Sequence, residues 1–113
     1  MVDQQHNPPH VGALIYRTYI APFENVSANK IAAALGVAPS TFNRLLNGKS
    51  DLSPEMAIKI SAVLGGSAES WLRLQESYDL AQARQHVNTQ SLRRMKFEEA
   101  PITLNNMGIV YKN

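Results

Sequence analysis

The chain has no cysteine. That removes disulfides and thiolate metal sites, and it fits a cytoplasmic setting. No apolar run approaches the roughly twenty residues needed to span a bilayer. The opening MVDQQHNPPH holds no basic stretch followed by an apolar one, so neither a membrane segment nor a secretory signal is expected. Charge is also sparse: 18% of 113 residues are charged and the net is +2, too mild a balance for indiscriminate coating of nucleic acid. The parts of an active site are missing as well. No nucleophile stands in pattern beside a base, and no glycine-rich phosphate cradle occurs. His6, His10 and His86 share no metal-ligand spacing, and Glu98-Glu99 is an adjacent pair on a tail, where two carboxylates rarely converge on one substrate. Neither an enzyme, a metal nor another cofactor is expected.

What the chain does have is SANKIAAALGVAPSTFNRLLNGK, from Ser27 to Lys49. Ile31, Ala34 and Leu35 repeat at helical spacing. Gly36 stops that helix, because glycine enters the left-handed conformation of a helix end without a Cβ clash. Pro39 opens a second helix, where its missing N–H costs nothing. Phe42, Leu45 and Leu46 form the second helix's apolar stripe, and Gly48 ends it. Ala32, Ala33 and Ala34 are small enough for the two helices to cross closely, as a helix–turn–helix requires.

The second helix carries Ser40, Asn43, Arg44 and Asn47 at i, i+3, i+4 and i+7, one polar stripe opposite Phe42 and Leu45, with Thr41 at its flank. These are groups of the kind that read base edges, Arg suiting guanine and Asn adenine in the major groove. No acid lies between Lys30 and Lys49 to repel phosphate. An αα-hairpin with a merely solvated outer face fits the periodicity too. The order of the pieces, from small residues through G-V and S-T-F-N-R to N-G-K, favours DNA binding.

The mild net charge hides a split. From Arg17 to Lys49 four bases meet one acid, a balance of +3; from Asp51 to Asp79 five acids meet two bases, a balance of −3. One part of the molecule should attract phosphate and another should not. A dimer would double the weak basic face.

The remaining punctuation gives a single domain over residues 10–86. A polar lead-in covers 1–9, where Asn7-Pro8-Pro9 resists helix. A first helix is expected from His10 to Ala21, with Val11, Leu14, Ile15 and Thr18 on one face and Tyr19 beside it. Ser27 is a plausible N-cap for the next helix. Ser53-Pro54-Glu55 is a helix start, with a capping hydroxyl, a first-turn proline and an acid at the positive dipole end. Met56, Ile60, Val63 and Leu64 then face inward, with Ala57 beside them, until Gly65-Gly66. Ser67 caps a long helix reaching about His86, with Trp71, Leu72, Leu74, Gln75, Tyr78 and Ala81 or Gln82 as buried or contact positions. Its later part, about Tyr78 to Arg84, exceeds what the core needs and is expected to pack on something outside the domain. Residues 87–113 read as an extended tail, in which Ile102-Thr103-Leu104 and Ile109-Val110-Tyr111 are β-prone triplets around the turn residues Asn105 to Gly108.

Taken with HxGALI (His10 to Ile15), DLSPEMAIKISAVLG and SAESWLRLQESYDLAQAR, the central motif resembles the HigA antitoxin family over about His10 to Arg84. That family carries an Xre/lambda-repressor-type helix–turn–helix. The resemblance implies an all-α, five-helix homodimer, here with a short extended C-terminal tail. It implies a repressor that binds an operator in its own promoter. It also implies neutralisation of a HigB-like toxin, a small ribosome-associated mRNA endonuclease. The DNA-reading positions would be Ser40, Thr41, Asn43 and Arg44. Phosphate contacts would fall near Ser27, Asn29, Lys30, Asn47 and Lys49. Trp71, Leu74 and Tyr78 would help build the core and the dimer interface. The chain departs from the family in three places. Ala38 stands where a capping Ser or Thr is common, Val11 and Ala13 replace the usual proline and acid, and the tail after Val87 matches nothing in the pattern. The rival readings are a stand-alone repressor with no toxin, a protein whose main task is masking a toxin, and, for lack of any convergent polar site the weakest, an enzyme.

Overall fold

The computed structural model describes residues 7–97 and, as backbone, the strands Ile102–Asn105 and Gly108–Tyr111. Residues 1–6 of the expected lead-in and the turn residues 106–107 lie outside the described residues. Five helices make up the domain: α1 (Val11–Ile15, continuing as a π-helical turn over Tyr16–Ile20), α2 (Ala28–Leu35), α3 (Pro39–Leu46), α4 (Pro54–Leu64) and α5 (Ala68–Arg84). The two short strands, β1 (Ile102–Asn105) and β2 (Gly108–Tyr111), pair antiparallel with Ile102 opposite Tyr111 and Leu104 opposite Ile109. They coincide with the two β-prone triplets. Among the described residues no helix is long and apolar enough to cross a membrane.

Local chemistry sets most helix ends. The hydroxyls of Ser27, Ser53 and Ser67 accept from the N–H groups of Lys30, Met56 and Ser70, satisfying first-turn donors that have no partner within the helix. At Ser67 the bond is reciprocated by the Ser70 hydroxyl, completing a capping box. Ala38 offers no such oxygen, and α3 starts without a side-chain cap. Gly36 (φ 74°) closes α2, with Val37 N–H bonded to the Ala32 carbonyl and Gly36 N–H to that of Ala33.

Val11, Ile15, Ile31, Ala32, Leu35, Phe42, Leu45, Leu52, Ala57, Ile60 and Trp71 form one buried cluster with contributions from all five helices. Against this cluster α1 crosses α3 at close range. At Gly12 a side chain has no room: a Cβ there would overlap the carbonyl oxygen of Leu45 and sit 2.8 Å from the Leu46 Cα. Both obstacles are backbone, so neither can move aside as a side chain would. The two helices therefore touch main chain to main chain, and Phe42 and Leu45 are driven fully into the core.

Several sequence expectations are corrected by this packing. The first helix is not regular α to Ala21. Its second half widens, with Ala21 N–H bonded to the Tyr16 carbonyl five residues back. The extra residue moves the apolar face forward, so Tyr19 and Ile20 pack on the core and Thr18 is exposed. Of the three alanines only Ala32 is buried; Ala33 and Ala34 face outward, so a single small residue of α2 lies in the core. Val63 lies on the outer side of α4, leaving Ala57 and Ile60 as its buried pair. In α5 only Trp71 and Gln75 are buried, and the helix ends at Arg84 rather than His86. Tyr78 packs edge-on against His10 with ring centroids 5.0 Å apart, inside its own domain rather than outside it.

Gly12→Ala is expected to lower unfolding stability by at least about 2 kcal/mol, since the added methyl must displace backbone rather than side chain. A urea melt of the variant beside the parent checks this; a loss below about 0.5 kcal/mol would mean that α1 and α3 can separate freely.

Candidate nucleic-acid interface

The amphipathicity of α3 divides it sharply. Phe42 and Leu45 are buried, Leu46 is half-buried, and the opposite side presents Ser40, Thr41, Arg44 and Asn47 exposed, with Asn43 half-buried at the edge of the stripe. The structure thus brings the stripe residues together on one outward ribbon. Ser27, Asn29 and Lys30 are exposed at the start of α2, and Lys49 is exposed just past α3.

The end of α3 is fixed by a reciprocal tie. Gly48 adopts φ 72°, its N–H bonds the Leu45 carbonyl, and Lys49 N–H bonds the Arg44 carbonyl at 2.8 Å. The Arg44 guanidinium returns the interaction, donating from Nη2 to the Lys49 carbonyl at 3.1 Å. A guanidinium has five donors, so Nη1 and Nε remain to approach a base or a phosphate. The tie orients the planar group along the ribbon and restricts its rotamers before any ligand arrives. Lys30 is held similarly, with Nζ 2.9 Å from the Asn25 carbonyl. The Ser27 hydroxyl is already an acceptor for its own helix, but its proton is free to be donated.

Two residues outside the expected set hold this surface in place. His10 is buried, and its Nδ1 accepts the Gly12 N–H at 2.9 Å, capping α1. Its Nε2 is buried without a hydrogen-bond partner among the described residues, 4.0 Å from Asp51 Oδ1. The ring borders Gly48, the left-handed residue that ends α3: a Cβ added there would come 3.8 Å from the His10 Cγ. Gln75, buried on α5, reaches the same loop. Its Oε1 accepts the buried Leu52 N–H at 2.9 Å, and its Nε2 donates to Asp79 Oδ1 at 2.9 Å and to Asp51 Oδ1 at 3.4 Å. The loop from Gly48 to Leu52, which carries Lys49, is therefore tied to α5 through Gln75 and borders His10 at the start of α1. From the sequence Gln75 is a buried position without a role, and His10 is only the first residue of the HxGALI motif. The signal that was available is local: a histidine two residues before a helical glycine, at a position where side-chain acceptors cap helices.

Of the positions expected at a dimer interface, Trp71 belongs to the core side of that expectation. It is buried and donates Nε1–H to the Gly65 carbonyl at 2.8 Å. Leu74 is 39% exposed and Tyr78 half-buried.

Comparison with known proteins agrees with this geometry. Residues 24–71, from the segment before α2 to the start of α5, match the HTH_3 helix-turn-helix family model. An uncharacterized HTH-type transcriptional regulator, YddM of Escherichia coli, is 51% identical over 71 residues, covering 63% of this chain and 76% of the relative. Antitoxin HigA-1 of Vibrio cholerae is 32% identical over 84 residues, 74% of this chain and 78% of that protein. The chain belongs to the HigA-like helix–turn–helix family. Among solved structures, antitoxin GraA in complex with its operator superposes with a TM-score of 0.70 at 31% identity, over 86% of this chain and all of that one. The family so defined contains regulators and antitoxins.

Replacing Gln75 by Leu leaves the buried Leu52 N–H without an acceptor and should cost about 1–3 kcal/mol in a denaturant melt. An unchanged midpoint would show that the Lys49 loop is held without α5.

Proposed function

We propose that this protein is the antitoxin of a type II toxin–antitoxin pair of the HigBA kind. It binds operator DNA as a homodimer, represses its own operon, and neutralises a HigB-like mRNA-endonuclease toxin. The observation that carries the reading is the outward polar ribbon of α3, with Arg44 pre-oriented by Lys49, in a chain similar to an antitoxin solved on its operator.

In this reading α3 enters the major groove. Arg44 and Asn43 supply base contacts, with Ser40 and Thr41 beside them. Asn47 and Lys49 at one end of the motif, and Ser27, Asn29 and Lys30 at the other, grip phosphate. The exposed α5 face with Leu74 and Leu80 is the natural dimer surface, with Tyr78 at its edge. Two copies related by a two-fold axis meet half-sites about 34 Å apart on a pseudo-palindrome. The protein works in the cytoplasm, at the nucleoid when on its operator. The toxin-masking role rests on similarity to named antitoxins.

A second reading, a stand-alone transcriptional regulator, is favoured by the higher identity to YddM, described as a transcriptional regulator. The neighbouring reading frame separates the two: co-expression with a small endonuclease encoded there should rescue growth only if this chain is an antitoxin.

DNA binding itself is tested by gel shift on the upstream promoter at two salt concentrations. Arg44→Ala should cost about 1–3 kcal/mol and relax specificity at one base position, whereas Lys49→Ala should weaken all sequences alike and reduce the salt slope by about one. Equal loss on every sequence for Arg44→Ala would overturn its base-reading role.

A further inference from the structure

Past the end of α5 the chain runs on through a segment that the helical domain does not use. Leu92, Met95 and Phe97 are 64%, 70% and 57% exposed, interleaved with Arg93, Arg94 and Lys96. From Leu80 to Phe97 there are four bases and no acid. Arg93 is occupied locally, donating from Nη1 to the carbonyls of Gln90 and Leu92. Neither Arg94 nor Lys96 makes an ion pair among the described residues. Phosphate binding alone would not call for three large apolar side chains in six residues. A segment with this alternation suits a surface that is apolar at its floor and acidic at its rim.

The chain carries such a surface. A shallow groove of about 500 Å³ runs along the outer side of α5, floored by Leu52 and Leu72 and rimmed by Glu69, Glu76 and Asp79, with Arg73 the one opposing charge. Asp79 is tied to Gln75, which leaves Glu69 and Glu76 exposed and without partners among the described residues. The larger groove, about 840 Å³ between the Asn7–Pro9 stretch and α5, is lined by Arg17 and Arg84 and would repel a basic segment.

We infer that the segment Leu92–Phe97 of one copy docks in the Glu69–Glu76 groove of a second copy, so that the dimer is clasped by exchanged arms. The inference rests on the homodimer of the proposed function and adds what holds it. Within one subunit the segment leaves its own groove uncovered, with its apolar side chains in solvent. In the exchanged arrangement Leu92, Met95 and Phe97 cover Leu72 and the exposed edge of the groove, and Arg94 and Lys96 face Glu69 and Glu76. Symmetry makes each contact twice, so modest surface pairs add.

The test uses two full-length variants with opposite reversals at exposed positions, Glu69→Lys/Glu76→Lys and Arg94→Glu/Lys96→Glu, and measures self-association by sedimentation. Each alone should dissociate with a Kd raised roughly tenfold or more over the parent. Mixed one to one, they should form a mixed dimer near parental affinity, because the reversed arm of one then meets the reversed groove of the other and the native arm meets the native groove. If both variants dimerise like the parent, the exchange is wrong while the homodimer stands. A parent chain that is monomeric throughout removes both. Loss in each variant without recovery on mixing would place the arm on its own subunit and overturn the exchange. So would a reversed arm that keeps the dimer but weakens operator binding with a shallower salt dependence, which would assign the segment to DNA.

Discussion

The contact between the main chains of α1 and α3 is what the rest of the molecule depends on. At Gly12 the two helices approach until no side chain fits between them. That crossing buries Phe42 and Leu45 completely. Once those two are fixed, helical geometry leaves no freedom for the opposite face: Ser40, Arg44 and Asn47 must point outward, since positions on an α-helix are set by their spacing. The outward ribbon is thus a consequence of an inward constraint, and the burial that stabilises the core also aims the surface.

A second set of interactions converts aim into rigidity. An eight-residue helix without an N-terminal side-chain cap is weak by itself. Here its far end is closed by Gly48, by the mutual bonds of Arg44 and Lys49, and by a loop held from α5 through Gln75. Gln75 suits this place because one amide can accept from a buried N–H while donating to two carboxylates. A carboxylate at position 75 would face Asp51 and Asp79 with like charge, and an apolar residue would orphan the Leu52 N–H. Preorganisation of this kind lowers the ordering entropy lost when a ligand binds.

Much of the fold was legible in the sequence because its punctuation is local. Ser27, Ser53 and Ser67 cap helices through a hydroxyl three residues from its donor, and Gly36 and Gly48 end helices by their own φ, so neighbours in the chain suffice to find them. The outward stripe of α3 followed from the period of 3.6 alone. What escaped was tertiary. Gly12 reads as an unremarkable helical residue until α3 is laid across it. His10 and Gln75 acquire their partners from elements tens of residues away, from Gly48 to Leu52. The widened turn at Tyr16–Ile20 moves the packed face by one position, which no regular period anticipates. Ala33 and Ala34 lie exposed because small residues permit a close crossing without requiring one.

The central claim is that the α3 ribbon and the two ends of the motif meet duplex DNA. Mapping amide chemical-shift changes on the full-length protein with its upstream promoter duplex tests that most directly. The account predicts changes concentrated at Ser27 to Lys30 and Ser40 to Lys49, with α4 and the acidic side of α5 quiet. Changes centred on Asp51 to Asp79, with the α3 ribbon unmoved, would contradict it.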